Sequence, residues 1–340
     1  MFIRQRIDAF VKLGKILENL PKEKQQEWVT QAYNHNTWFS QSSVETALKG
    51  IVRLLKEKSL TQWLAAYPIT EPEKPLKVGV IMAGNIPLVG FHDFMTVLLS
   101  GHPLYAKLSS QDAFLPKVIA SLLTEVEPEF ASMIHFVESL KDVDAVIATG
   151  SDNSARYFEY YFSKFPNIIR KNRTSVAVLS GKETEEDLKA LGGDILTYFG
   201  LGCRNVSKLY LPEGFDLVPL LKVMEPLGIE AIDNHKYANN YDYNKSIYLV
   251  NKVEHLDNGY VLFTANEALV SPVGVVYYEY YQSEESLKEK LQENQAKIQC
   301  VVSREAWLPG SFSFGKAQFP EVSDYADGVD TMKFLIDLKK

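Results

Sequence analysis

The chain has 340 residues, 46% hydrophobic and 23% charged, the balance of a globular protein able to bury two sizeable cores. Its formal charge of −7 argues against a broad nucleic-acid surface, because an electronegative field repels phosphate. Two cysteines, Cys203 and Cys300, argue against a disulfide framework and for a cytoplasmic location.

The opening residues carry charges every few positions and offer no apolar core for a signal peptide, and nothing later has the uninterrupted apolar length of a membrane span. Up to Tyr67 the pattern is helical. Ile7, Phe10, Val11 and Leu17 form one apolar stripe, and Leu48, Ile51, Leu54 and Leu55 another. Residues 1–67 are therefore expected to be a helical segment packed on the cofactor domain. Pro68, Pro72 and Pro75 interrupt a stretch without periodicity, which predicts an extended connection.

From Leu76 short apolar runs alternate with helical segments, the pattern of a parallel sheet with covering helices. Strands are predicted over 76–83, 103–109, 133–137 and 144–150, and helices over 90–101, 114–126 and 154–165. After a further apolar run at 174–181, a charged helix over 183–200 leads into Cys203. Strands are predicted again at 206–212, 260–265, 273–281 and 298–303. This divides the chain into a doubly wound domain at 76–178, a second α/β domain at 179–310 and a terminal segment at 311–340.

Four places could carry chemistry. Gly84-Asn85-Ile86-Pro87 follows a buried strand and precedes a helix, where open sheets bind ligands; alone it is more often an ordinary turn. Lys107, Ser109 and Ser110 close the next strand, where a lysine can equally be a solvated strand end. Thr149-Gly150-Ser151 closes a third, and a glycine and serine ahead of a helix offer backbone donors to a phosphate. Cys203 comes after Gly200 and Gly202, which allow close backbone approach to a ligand; the competing reading of a lone cysteine is a small buried hydrophobe. Cys300, within Ile298-Gln-Cys-Val-Val302, reads as strand core. No dinucleotide or nucleoside-triphosphate glycine fingerprint is present.

Taken together and in order, these places resemble the aldehyde dehydrogenase superfamily, and within it the acyl-CoA reductase branch that includes the fatty acyl reductase of bacterial luminescence systems. The resemblance runs from about Lys77 to Phe334. It implies an α/β, aldehyde dehydrogenase-like fold: a Rossmann-type nucleotide-binding domain, an α/β catalytic domain and a helical N-terminal segment. Cys203 then matches the nucleophile and Asn85 the oxyanion-binding asparagine. Lys107 matches the lysine on the adenosine ribose, with Ser109 and Ser110 beside it, and Gly150-Ser151 the loop near the pyrophosphate. Glu267, in Asn266-Glu-Ala-Leu-Val-Ser-Pro272, stands in the segment whose glutamate binds the nicotinamide ribose, one position further from the proline than the family pattern.

One departure bears on the reaction. Relatives that hydrolyse their thioester carry a glutamate base between the pyrophosphate loop and the cysteine, and here that stretch is Arg170-Lys-Asn-Arg-Thr174, without a carboxylate. An acyl-enzyme should then persist to meet hydride or a thiol. The expected activity is reduction of an acyl-CoA to an aldehyde, without a metal, with NADPH or NADH as cofactor. NADPH is favoured because Ser110 replaces the glutamate that repels a 2′-phosphate in NAD-selective relatives; Asp112 is the competing carboxylate. Arg170, Lys171 and Arg173 could meet coenzyme A phosphates or form a solvated loop. An acyl-supplying partner enzyme and a homo-oligomer are compatible with the sequence. An acyl-phosphate reductase and a non-catalytic binding protein are the alternatives.

Overall fold

The stripes up to Tyr67 form four helices, α1 (Ile3–Glu18), α2 (Lys22–His35), α3 (Gln41–Leu54) and α4 (Glu57–Leu64). Their apolar faces, including Phe10, Leu13, Val44, Leu48 and Leu60, are buried in one cluster with the sheet residues Val78, Val80 and Leu104. The structure is a computed structural model that describes residues 1–338. The chain divides into two units, one made of Met1–Asn172 with the residues from Pro320 onward, the other of Arg173–Phe319.

In the first unit the predicted alternation appears as β1 (Val78–Ile81), α5 (Phe91–Ser100), β2 (Leu104–Lys107), α6 (Leu115–Val126), β3 (Ile134–Phe136), β4 (Ala145–Thr149), α7 (Asp152–Phe162) and β5 (Asn167–Arg170). The strands pair in parallel in the order β3-β2-β1-β4-β5. This is the open, doubly wound arrangement in which strand carboxyl ends face a ligand.

The strand β5 lies outside the predicted set, and its last residue corrects the reading of the basic run. Arg170 is buried, and its guanidinium donates to Asp93 at 2.5 Å and to Thr331 Oγ1 at 2.8 Å. Helix α5 is buried along nearly its whole length, so Asp93 needs a cation, and Arg170 supplies it. Lys171, by contrast, is exposed and pairs with Glu159 at 2.9 Å. Thr331 opens a short helix, Thr331–Ile336, whose Met332 and Leu335 join the core of this unit.

The second unit contains β6 (Thr174–Val178), α8 (Glu185–Leu196), β7 (Val206–Pro212), α9 (Val218–Val223), α10 (Glu225–Ile232), α11 (His235–Asn251), β8 (Leu256–Asp257), β9 (Leu262–Ala265), β10 (Val275–Tyr281), α12 (Glu284–Glu293), β11 (Ile298–Ser303) and β12 (Phe312–Ser313). The sheet order is β12-β11-β6-β7-β10-β9-β8, parallel except where β8 runs against β9. Helix α8 begins with a capping box, in which Thr184 Oγ1 accepts from the Asp187 N–H and the Asp187 carboxylate accepts from the Thr184 N–H. It ends at Leu196, four residues before the predicted stop, and that shortfall shapes the site.

Truncating one partner of the Asp93–Arg170 pair leaves the other charge buried alone. Asp93→Ala should therefore cost about 3–5 kcal/mol of stability, read as a lower urea midpoint, whereas exposed Glu159→Ala should change it little.

Candidate active site

The loop that carries Cys203 departs from helical geometry as soon as α8 ends. Tyr198, Phe199 and Gly200 have φ of 54°, 58° and 76°, a short left-handed turn that side chains other than glycine adopt only at a cost. Both aromatic side chains are buried. What holds the turn is Asn205. Its Nδ2 donates to the carbonyls of Asp194 at 3.1 Å, Ile195 at 3.2 Å and Thr197 at 2.6 Å, while its Oδ1 accepts from the Gly202 N–H at 2.8 Å. The amide satisfies helix-end carbonyls that would otherwise be orphaned and ties them to the glycine next to the cysteine. Cys203 itself is half-buried.

A second anchor comes from β6. Ser175 donates its hydroxyl to the Cys203 carbonyl at 3.0 Å and accepts from the Cys300 N–H at 3.2 Å, with Cys300 Sγ 3.0 Å away. The sheet is irregular on both sides of Ser175. Ser175 pairs with Val206 but Val176 with Lys208, which makes Ser207 an extra residue on β7; Thr174 pairs with Ile298 but Val176 with Val301 on β11. Such bulges re-aim side chains beside functional sites. Cys300 is buried in mid-strand and supports the loop from below, as its apolar surroundings predict.

A third anchor closes the loop from the chain beyond β12. Arg204 donates to the Ala317 carbonyl and stacks 4.8 Å from the Phe312 ring. Asp194 accepts from the N–H groups of Gly315 at 2.6 Å and Ala317 at 3.1 Å. Burial pushes the Asp194 carboxyl up to about 7, against the pull of those donors and of Arg204. Beside the loop lies a cavity of about 320 Å³, counting its open mouth, walled by Phe199, Gly200, Val206 and Tyr237.

Glu267 occupies the same unit. It is exposed on the turn after β9, and Ser207 and Lys208 of β7 reach that turn, Ser207 Oγ donating to the Leu269 carbonyl at 2.7 Å and Lys208 Nζ to the Asn266 carbonyl.

In the first unit the other expected residues gather at the carboxyl ends of three neighbouring strands. Ile81 of β1 pairs with Lys107 of β2 and with Ala148 of β4, so Asn85, Lys107 and Gly150 follow adjacent strand ends. Lys107 and Ser110 are exposed, and Ser109 and Asn85 half-buried. Ser109 Oγ accepts from the Gln111 N–H at 3.2 Å. A Cβ at Gly84 would lie 2.6 Å from Ser109 Cβ, so the two loops meet in a contact only glycine permits. Ser151 caps α7, accepting from the Ser154 N–H at 3.3 Å, and a Cβ at Gly150 would lie 2.9 Å from the Ser154 and Phe158 side chains. An exposed cation, an exposed hydroxyl and a capped helix start along one sheet edge fit the phosphates of a dinucleotide.

Asp112 is not placed to compete for a ribose. It is buried, and its Oδ2 accepts from the Leu88 N–H at 2.7 Å, fixing the Asn85 loop where Leu88 takes φ of 57°. Among the described residues its Oδ1 has no hydrogen-bond partner, and burial pushes the carboxyl up to about 7, with the Leu88 donor pulling the other way.

The fold is that of the aldehyde dehydrogenases. Aldehyde dehydrogenase 21 from Physcomitrella patens, solved with succinate, superposes with a TM-score of 0.68 at 12% identity, covering 99% of this chain and 84% of that one. The indole-3-acetaldehyde dehydrogenase of P. syringae gives 0.66 at 12% identity over 94% of this chain and 75% of that one. The NAD+ complex of the Bacillus cereus enzyme gives 0.61 at 14% identity over 89% and 72%.

Within that fold class the chain belongs to the acyl-CoA reductase (LuxC) family, whose profile it matches over residues 9–217. It is thus an oxidoreductase acting on acyl groups. The match spans Asn85, Lys107, Gly150, Ser151 and Cys203; Glu267 lies beyond it. No curated protein is a significant sequence match to the chain. Among the described residues no helix is long and apolar enough to cross a membrane.

Two outcomes test this geometry. Asn205→Ala leaves three carbonyls and the Gly202 N–H without their partner, at about 1–3 kcal/mol for each group that stays dry; the melting temperature should fall sharply and the alkylation rate of Cys203 should change with it. Asp112 has a folded pKa above its unfolded value, so its contribution to stability is fully present below about pH 4 and lost as pH rises through about 7. Asp112→Asn should accordingly be more favourable, relative to wild type, at pH 8 than at pH 5 in paired melting curves.

Proposed function

We propose that the protein reduces an acyl-CoA to the aldehyde through a thioester on Cys203, using a nicotinamide cofactor. The supporting observation is the half-buried cysteine on a strained loop fastened by Asn205 and Ser175, in a chain of acyl-CoA reductase ancestry. The Cys203 thiolate attacks the acyl carbonyl, and the oxyanion is met by the Asn85 amide and the Cys203 backbone N–H, the roles that the resemblance assigns. The C–S bond to coenzyme A breaks, and the leaving thiolate takes a proton. By the resemblance, Lys107, Ser109, Ser110, Gly150 and Ser151 would hold the adenosine and phosphate parts of a nicotinamide cofactor and Glu267 its nicotinamide ribose; such a cofactor would supply the hydride that takes the thioester to the thiohemiacetal level. Collapse releases the aldehyde and regenerates the thiolate. With no carboxylate between Arg170 and Thr174, water lacks a base there and hydrolysis does not compete.

NADPH is the favoured cofactor. Ser110 is an exposed hydroxyl two residues from Asp112, and that carboxylate is turned inward to Leu88, so no negative charge from it meets a 2′-phosphate beside Lys107.

Steady-state assays with a panel of acyl-CoAs and both reduced nicotinamides test the scheme. Asn85→Ala should lower kcat by about a hundredfold to a thousandfold; a change confined to KM would remove Asn85 from the chemical step. The wild type should show kcat/KM for NADPH at least equal to that for NADH, and a strong NADH preference would show that Ser110 does not discriminate.

A further inference from the structure

Beneath the Glu267 turn lies a lysine that the reduction scheme does not use. Lys208 is the third residue of β7, which is paired on both sides, and its side chain is 0% exposed. Burying an ammonium is costly unless oxygens face it. Its Nζ donates to the Asn266 carbonyl and lies 3.1 Å from Glu279 Oε2, which Lys290 holds through the other carboxylate oxygen. The Tyr210 ring lies 5.6 Å away.

The adjacent side chain, Ser207, takes the Leu269 carbonyl at the other end of the same turn. Neighbouring strand residues ordinarily point to opposite faces; the extra residue at Ser207 lets two of them reach one turn. Within the turn the Ala268 N–H donates to Asn266 Oδ1 at 2.9 Å, and the Asn266 N–H ties the turn to β10 by donating to the Tyr278 carbonyl at 3.1 Å. Its exposed middle residue is Glu267. Burial and Lys290 push the Lys208 ammonium down to about 8, with Glu267 pulling the other way.

We infer that Lys208 is a positioning residue for the cofactor, pinning the Asn266 carbonyl so that Glu267 is presented to the nicotinamide ribose. This rests on the proposed reduction and on the role of Glu267 in it. The strand that leaves the nucleophile loop then also sets the cofactor turn, through a buried charge in place of an apolar contact.

The test uses the full chain with Lys208→Met, Lys208→Arg, Glu267→Ala and the Lys208→Met/Glu267→Ala double variant. NADPH affinity is read by its fluorescence, and acylation by the burst of coenzyme A released without cofactor. Lys208→Met should weaken NADPH binding about tenfold, or about 1.4 kcal/mol, with Lys208→Arg recovering most of the loss. The burst should match wild type, and the double variant should bind no worse than the worse single one, because both changes remove one interaction. Unchanged affinity in Lys208→Met, fully additive losses, or a burst that falls in parallel would overturn the assignment. A wild-type chain that binds NADPH but gives no burst refutes the reduction scheme separately, leaving the affinities to decide the role of Lys208.

Discussion

The amide of Asn205 makes the Cys203 loop possible. Left-handed geometry at Tyr198 and Phe199 costs about 1–3 kcal/mol each. Four hydrogen bonds from one buried side chain, each contributing about 1 kcal/mol, offset a cost of that size. The strain turns the chain out of α8 early and starts β7 only three residues after Cys203. An asparagine is suited to this because one planar group donates to helix-end carbonyls on one side and accepts from Gly202 on the other.

The surrounding polar interior results from that choice. Ser175 has to reach the Cys203 carbonyl from β6, and the register breaks on both sides of it, at Ser207 and around Cys300, accompany that reach. The break at Ser207 in turn sends two β7 side chains to the Asn266–Leu269 turn. The Cys203 loop, the sheet irregularity and the Asn266–Leu269 turn form one continuous set of hydrogen bonds within the second unit. In the first unit a comparable logic holds the Asn85 loop, where Asp112 fixes Leu88 and Gly84 lies against Ser109.

Much of this is legible in the sequence, and the failures have physical reasons. Residues 206–212 read as a strand because apolar residues dominate both faces of a central parallel strand, and the predicted strands at 273–281 and 298–303 appear as β10 and β11. Helix α11 gives no signal: its buried face is Tyr237, Tyr241 and Asn244 in a run of polar residues, without the apolar stripe that marks a helix. The helix predicted over 183–200 is too long because its end is fixed by hydrogen bonds from outside that stretch, first of all from the Asn205 amide. Arg170 groups with its exposed neighbours in the sequence because a run of like charges reads as a solvated loop, and its partner Asp93 is far away along the chain. Asn205, Ser175 and Lys208 escape sequence reasoning because polar side chains are taken to face water. Lys208 leaves a trace, a lysine inside the apolar strand Val206–Pro212, where no face is free for solvent.

The central claim is that Cys203, and not Cys300, carries the acyl group. Intact-mass and peptide mass spectrometry after incubation with an acyl-CoA, in the absence of nicotinamide, addresses it most directly. The account predicts one acyl adduct on the peptide containing Cys203, lost in Cys203→Ala and kept in Cys300→Ala. An adduct on Cys300 that survives Cys203→Ala would contradict it.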